Sequence, residues 1–157
     1  MVDQATRQQV VNLLTKPQAH MGFDGAIENF PLEHINARPA HVPYTFWQLL
    51  EHLRIGQHDL LDYCVNPGYV YLKWPDEYWP ARDAMTDAAG WNATIAAFHA
   101  DRDALVALAL DPAHDLNAQI PHGEPGHTLL RELLLAADHS AYHTGEFAIL
   151  RGIMGLW

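Results

Sequence analysis

TLLRELLLAADHSAYHTGEFAILR, residues 128–151, decides the fold. Thr128 supplies an N-cap hydroxyl, the leucine- and alanine-rich run behind it favours helix, and Gly152 marks the stop near Arg151. Within this stretch Glu132, Ala136, His139, His143, Glu146 and Leu150 step by 4-3-4-3-4, the spacing of an inward stripe in a helix bundle. His139 and His143 therefore share one face, with Cβ atoms about 6 Å apart. Two imidazoles so placed can converge on one cation. A third from another helix completes a facial set of three nitrogens and leaves positions open for water or substrate.

Upstream, Asp3 to Leu14 reads as helix, with Val10, Leu13 and Leu14 on its apolar side, until Pro17 interrupts it. Helix is expected to resume near Gln18 and end at Phe30, before Pro31, with His20, Phe23, Ile27 and Phe30 as an inward seam. A linker holding Pro31, Pro39 and Pro43 leads to Thr45, whose partner Gln48 makes a capping box and fixes a helix start near Phe46. Phe46, Leu49, Leu50, Leu53, Leu60 and Leu61 form the apolar side of that helix, which should end by Cys64. Tyr69 to Pro80 follows as an aromatic-rich loop with two prolines and no period. The next helix is expected over Thr86 to Leu110, with Met85, Ala88, Ile95, Phe98, Leu105 and Leu108 marking the buried side and Asp111-Pro112 stopping it. No useful β alternation, repeat or low-complexity tract interrupts this pattern. The sum is an all-α four-helix bundle with a long crossover loop.

The chain has 157 residues, read as a single domain over 1–157, and 49% of them are hydrophobic, so a packed core is expected. A formal charge of −10 argues against nucleic acid, because phosphate binding needs a concentrated basic surface. Cys64 is the one cysteine, which excludes an internal disulfide and a cysteine-based zinc site. No secretory leader and no apolar run of membrane-spanning length are apparent, so the expectation is a cytoplasmic chain with no membrane partner.

The third imidazole is sought on the second long helix, where His52 lies in WQLLEHL, residues 47–53. A histidine pair at i, i+4 is equally compatible with an interior pair held by hydrogen bonds, and the neighbours shift the balance. Ala136, Gly145 and Gly56 keep space around the three rings, and Asp138 and Glu146 are placed to accept from a ring nitrogen. A carboxylate-bridged di-iron centre needs Glu-x-x-His, but positions 136 and 49 hold Ala and Leu. The zinc-protease pattern His-Glu-x-x-His fails as well, since position 140 is Ser. His20 is a further candidate, either as a core or rim histidine or near a metal. His122 and His127 flank the loop before the last helix, as plain loop histidines or as lining of a pocket mouth.

Taken in order, WQLLEH at 47–52, Trp74-Pro75, Tyr78-Trp79-Pro80 and the run from Thr128 to Trp157 resemble the DinB-like superfamily, also called the YfiT-like metal-dependent hydrolases. The group is unrelated to the lesion-bypass polymerase of similar name. The resemblance spans nearly the whole chain and implies a four-helix bundle, often a homodimer, holding one divalent metal ion through His52, His139 and His143. Characterised relatives include thiol-dependent S-transferases and isomerases that use a low-molecular-weight thiol. One departure is Glu146, where similar sequences often carry Gln. The expectation is thus a metal-dependent S-transferase or hydrolase acting on a small-molecule substrate. Zinc or nickel suits the site best, iron or manganese next, and Glu146 is the candidate catalytic group. The alternative is a non-catalytic stress protein that binds a metal or a small ligand.

Overall fold

The computed structural model describes residues 4–157, so the expected helix start at Asp3 lies outside the described residues. Its helices are α1 (Gln4–Thr15), a short α2 (Phe23–Ile27), α3 (Phe46–Val65), α4 (Ala88–Leu110) and α5 (Leu129–Ile153). No strand occurs among the described residues; one isolated antiparallel bridge joins Gln119 to Thr128. The four long helices form a four-helix bundle. Both α1 and α3 pack chiefly against α4 and α5, so α1 and α3 occupy opposite corners, and the 16–45 segment crosses between them.

Local chemistry explains the helix starts. Thr45 Oγ1 accepts from the Gln48 backbone N–H at 3.1 Å, while Gln48 Oε1 accepts from Thr45 N–H at 3.0 Å. This reciprocal box satisfies two orphan donors and begins α3 at the expected residue. Gln48 does more than cap. Its amide nitrogen reaches the carbonyls of Ala81, Arg82 and Ala84 at 3.0–3.1 Å, which pins the end of the aromatic loop to the start of α3. Asp87 and Thr128 cap α4 and α5 with one bond each, their side-chain oxygens accepting from the Gly90 and Arg131 backbone N–H.

The core has two parts. One gathers Phe30, Phe46, Trp91, Phe98 and Phe147 with Leu49, Leu50 and Leu53; the other gathers Val10, Val11, Leu105, Ala109, Leu129 and Leu133. Two buried arginines tie chain ends to the bundle. Arg7 donates to the carbonyl of Ala109 in the last turn of α4 and to those of Asp111 and His114 beyond its end. Arg151 donates to Leu156, Ala26 and Glu28. Carbonyl partners satisfy these guanidinium groups where water is excluded.

Two expectations need correction. Helix does not resume at Gln18: only Phe23–Ile27 is helical, entered from an extended Gly22, and His20 is exposed rather than part of an inward seam. Pro17 and Gly22 bracket four residues, too short a stretch to repay helix nucleation. On α4 the buried face is Trp91, Thr94, Phe98, Leu105 and Ala109. Met85 is 72% exposed and precedes the helix, so it and Ala88 do not belong to that face.

Candidate metal centre

His52 is carried by α3, and His139 and His143 by successive turns of α5. Their rings converge. His52 Nε2 lies 3.1 Å from His143 Nε2 and 3.2 Å from His139 Nε2. One ligand atom from each of the three falls within 4.8 Å of the others, and this is the one such histidine, cysteine or carboxylate cluster of metal-holding shape among the described residues.

The outer nitrogens set the tautomers. His52 Nδ1 lies 2.8 Å from the carbonyl oxygen of Tyr78, which only accepts, so Nδ1 carries the proton and Nε2 a bare lone pair. His143 Nδ1 lies 2.8 Å from Glu146 Oε2 and donates to that carboxylate, leaving its Nε2 bare as well. Two lone pairs therefore face each other across 3.1 Å with no proton between them. That arrangement suits a cation. Two nitrogens each about 2.1 Å from one ion stand about 3.0–3.4 Å apart for angles between right and tetrahedral, which both observed separations match.

Burial keeps the cluster neutral. Desolvation, with the neighbouring imidazoles, lowers His139 to about 4 and His143 to about 3. Burial lowers His52 too, against the Tyr78 carbonyl, which raises it. Neutral imidazoles are the form that ligates. Burial raises the Glu146 carboxyl above the usual range.

Several surrounding contacts lock the rings. Trp79 stacks face to face on His52, with centroids 3.8 Å apart and planes 5° apart. Tyr44 donates its hydroxyl to Glu146 Oε1, so both carboxylate oxygens are engaged. Gly56 faces His139: a Cβ there would stand 2.6 Å from the ring's Cε1, so the imidazole occupies space that only glycine leaves. Open space at Gly56 and Ala136 is expected from their small side chains, whereas nothing in the local sequence pattern singles out Tyr44, Tyr78 or Trp79. Tyr44 lies 102 residues from Glu146, and no spacing rule reaches that far.

The remaining candidates fall elsewhere. Asp138 is exposed, and Glu146 carries the ring contact instead. His20 Nδ1 donates to the Met21 carbonyl at the surface. His122 donates to the Tyr63 carbonyl and His127 pairs with the Tyr63 hydroxyl, about three turns along α3 from His52. His122 lines a groove there with Cys64, whose thiol is pushed up to about 12 by burial and the nearby Glu132 carboxylate, and is inert as a nucleophile. No helix is long and apolar enough to cross a membrane among the described residues.

The family model of the DinB superfamily matches residues 18–147, a span that takes in His52, His139, His143 and Glu146. Comparison finds no matching curated protein and no matching solved structure. With five-sixths of its length matched and three histidines placed on α3 and α5 to hold a metal ion, the chain belongs to the DinB superfamily.

Proposed function

We propose that the protein is a divalent-metal-dependent enzyme, a thiol-dependent S-transferase or a hydrolase, acting on a small-molecule substrate. The observation that carries this reading is the convergence of three Nε2 atoms, two of which, on His52 and His143, are left with inward-facing lone pairs by the groups bound at Nδ1. His52, His139 and His143 would hold the ion, with zinc or nickel suiting three imidazoles best and iron or manganese next. Such an ion supplies Lewis acidity at the positions the protein leaves free, for a water or a low-molecular-weight thiol.

The chain's own groups then divide the remaining work. The Tyr78 carbonyl and Glu146 Oε2 fix the orientation of two rings and make them better donors. Trp79 covers His52 and keeps water from that side. Glu146 also rims a shallow depression with Tyr142, Gly145, Ile149 and Leu150, the face from which a substrate would approach. Its raised pKa brings the carboxyl nearer the range useful to a general base, and its remaining lone pairs can take a proton from an arriving thiol or water. The same reading makes the protein a homodimer. Ile153 and Trp157 are 73% and 61% exposed at the far end of α5, beyond that depression, as apolar surface that a second copy would cover.

Metal content of untagged protein, followed by assays of metal-loaded protein with several thiols and electrophiles and with simple esters and amides, tests the proposal. Turnover that disappears with the metal is expected. Saturable binding with no turnover would overturn it in favour of the binding-protein alternative. Light scattering at micromolar concentration should give a dimer mass.

A further inference from the structure

His52 and His143 are held by unlike supports, the Trp79 indole on one and the Glu146 carboxylate on the other. Both supports lead back to Tyr44, in the crossover just ahead of the Thr45 cap. The Tyr44 ring stacks on Trp79, with centroids 4.9 Å apart and planes 20° apart. Its hydroxyl donates to Glu146 Oε1, while Oε2 of the same carboxylate takes the His143 Nδ1–H. Since His52 and His143 face each other at 3.1 Å, the contacts close on themselves. Tyr44, Glu146, His143, His52 and Trp79 form one circuit, to which the crossover, α5, α3 and the aromatic loop each contribute.

A closed circuit restrains what each contact alone does not. A glutamate bound only to His143 keeps freedom about its own torsions, and a second donor on the other oxygen removes it. An indole stacked on one imidazole can slide in its own plane, and a second stacked ring opposes that slide. Tyr44 itself has a fixed footing. Its neighbour Thr45 is locked in the capping box at both N–H and Oγ1, and its ring packs on the aromatic core cluster. Packing alone would be served by phenylalanine; the hydroxyl is what reaches Glu146. We propose that Tyr44 is a positioning residue for the candidate metal centre, setting the His143 ring through Glu146 and the His52 ring through Trp79. This rests on the reading of the three histidines as a metal site.

The full-length protein tests this twice, without metal and with Co²⁺ as the probe. In metal-free protein, ¹⁵N NMR of the histidine side chains reports the proton position and surroundings of each ring nitrogen. Tyr44→Phe keeps the stack and removes the hydroxyl, so the His143 nitrogens should shift while those of His52 stay. Trp79→Leu should do the converse, and Tyr44→Leu should move both rings. Tyr63→Phe is the structural control. It removes a hydroxyl that bonds Glu124 and His127 farther along α3, and should cost stability while moving neither ring. Co²⁺ titration followed by visible absorption should show affinity weaker by about threefold in Tyr44→Phe and about tenfold in Tyr44→Leu, at or below the range for losing an outer partner outright. In a Glu146→Ala background Tyr44→Phe should cost nothing further, because its route to His143 is already cut. Unmoved His143 nitrogens in folded Tyr44→Phe overturn the proposal, as does an equal affinity loss in both backgrounds, the mark of a general loosening. Wild-type protein that takes up no Co²⁺ would instead sink the metal reading, and the metal-free spectra would still decide whether Tyr44 sets the rings.

Discussion

On one face of α5, His139, His143 and Glu146 meet partners at almost every polar atom; on the next face, a third of a turn away, Thr144, like Arg102 on α4, has a polar atom that meets none. The two faces share a backbone and a degree of burial. They differ in what stands opposite. The histidine face packs against α3, whose capping box fixes its start and whose Gly56 admits the His139 ring, and against a loop pinned by Gln48 and by Asp59, which accepts from Tyr69 and Tyr78. The other face looks onto an unwound connector that sets no helical row of side chains against it. A regular element opposite permits close, paired geometry. A missing one leaves space and unspent donors.

The comparison breaks first at His139. Replacing His139 by Ala is expected to weaken metal binding by about a thousandfold or more, because two imidazoles on different helices cannot replace a facial set of three. Competition titration with a chromogenic chelator measures this. Chelating the wild-type protein should lower its Tm without unfolding it, since the two core clusters do not depend on the ion. Unfolding on chelation would mean that the histidine face holds the bundle together.

Acid should act on the same face. His139 and His143 sit at about 4 and about 3 when folded, against 6.5 for the free side chain. Above pH 6.5 both states are neutral and nothing changes. As pH falls below that value, the unfolded chain takes up protons that the folded one refuses, so stability is lost progressively down to about pH 3. Metal-free wild type should therefore lose more stability between about pH 7 and about pH 5 than a His139→Gln/His143→Gln variant, measured by urea unfolding. Equal slopes would show that the rings are not desolvated.

Gly56→Ala comes next in size. The added Cβ meets the His139 ring at 2.6 Å, and the ring, caught between helices, must move. Overpacking of this kind costs about 1–3 kcal/mol, and a displaced ring should lower metal affinity by about tenfold or more. Unchanged affinity would show that the site tolerates a rotated His139. Glu146→Gln should do less. The amide oxygen can still accept from His143 Nδ1 but carries no charge, so metal affinity is expected to fall by about tenfold, the low end for losing such an outer partner. If turnover falls much further than affinity, Glu146 is acting as a base as well as holding the ring.

How much of this was legible beforehand follows from the range of each interaction. The stripe on α5 and the Thr45–Gln48 box are local, and both read correctly from spacing. Of the seam expected over 18–30, Phe23, Ile27 and Phe30 do reach the core, but helix forms only over Phe23–Ile27 and His20 stays exposed, because Pro17 and Gly22 keep the stretch between them from being helical. The α4 face was half right: Phe98 and Leu105 are buried, but anchoring the pattern on Met85 missed Trp91 and Ala109. The three histidines were legible as a set because each lay on a strong helix. Their supports were not. Tyr78 contributes only a backbone carbonyl, and Tyr44 and Trp79 act through long-range contacts that leave no periodic trace.

The smallest effect sharpens the comparison from the quiet side. On the histidine face, removing Glu146 or the Tyr44 hydroxyl should cost stability, because each has a hydrogen-bond partner. Thr144→Val should do the reverse. Its hydroxyl is buried and unpaired, so the folded state bears a desolvation cost that the unfolded chain, hydrated, does not. Valine keeps the shape, loses the orphan oxygen and has nearly the same helix propensity. Stability should rise by about 0.5–1 kcal/mol, read from urea unfolding, with metal affinity unchanged. A loss of stability would show that the hydroxyl is hydrogen-bonded in solution, and the contrast between the two faces of α5 would then be one of partner identity, protein on one side and water on the other.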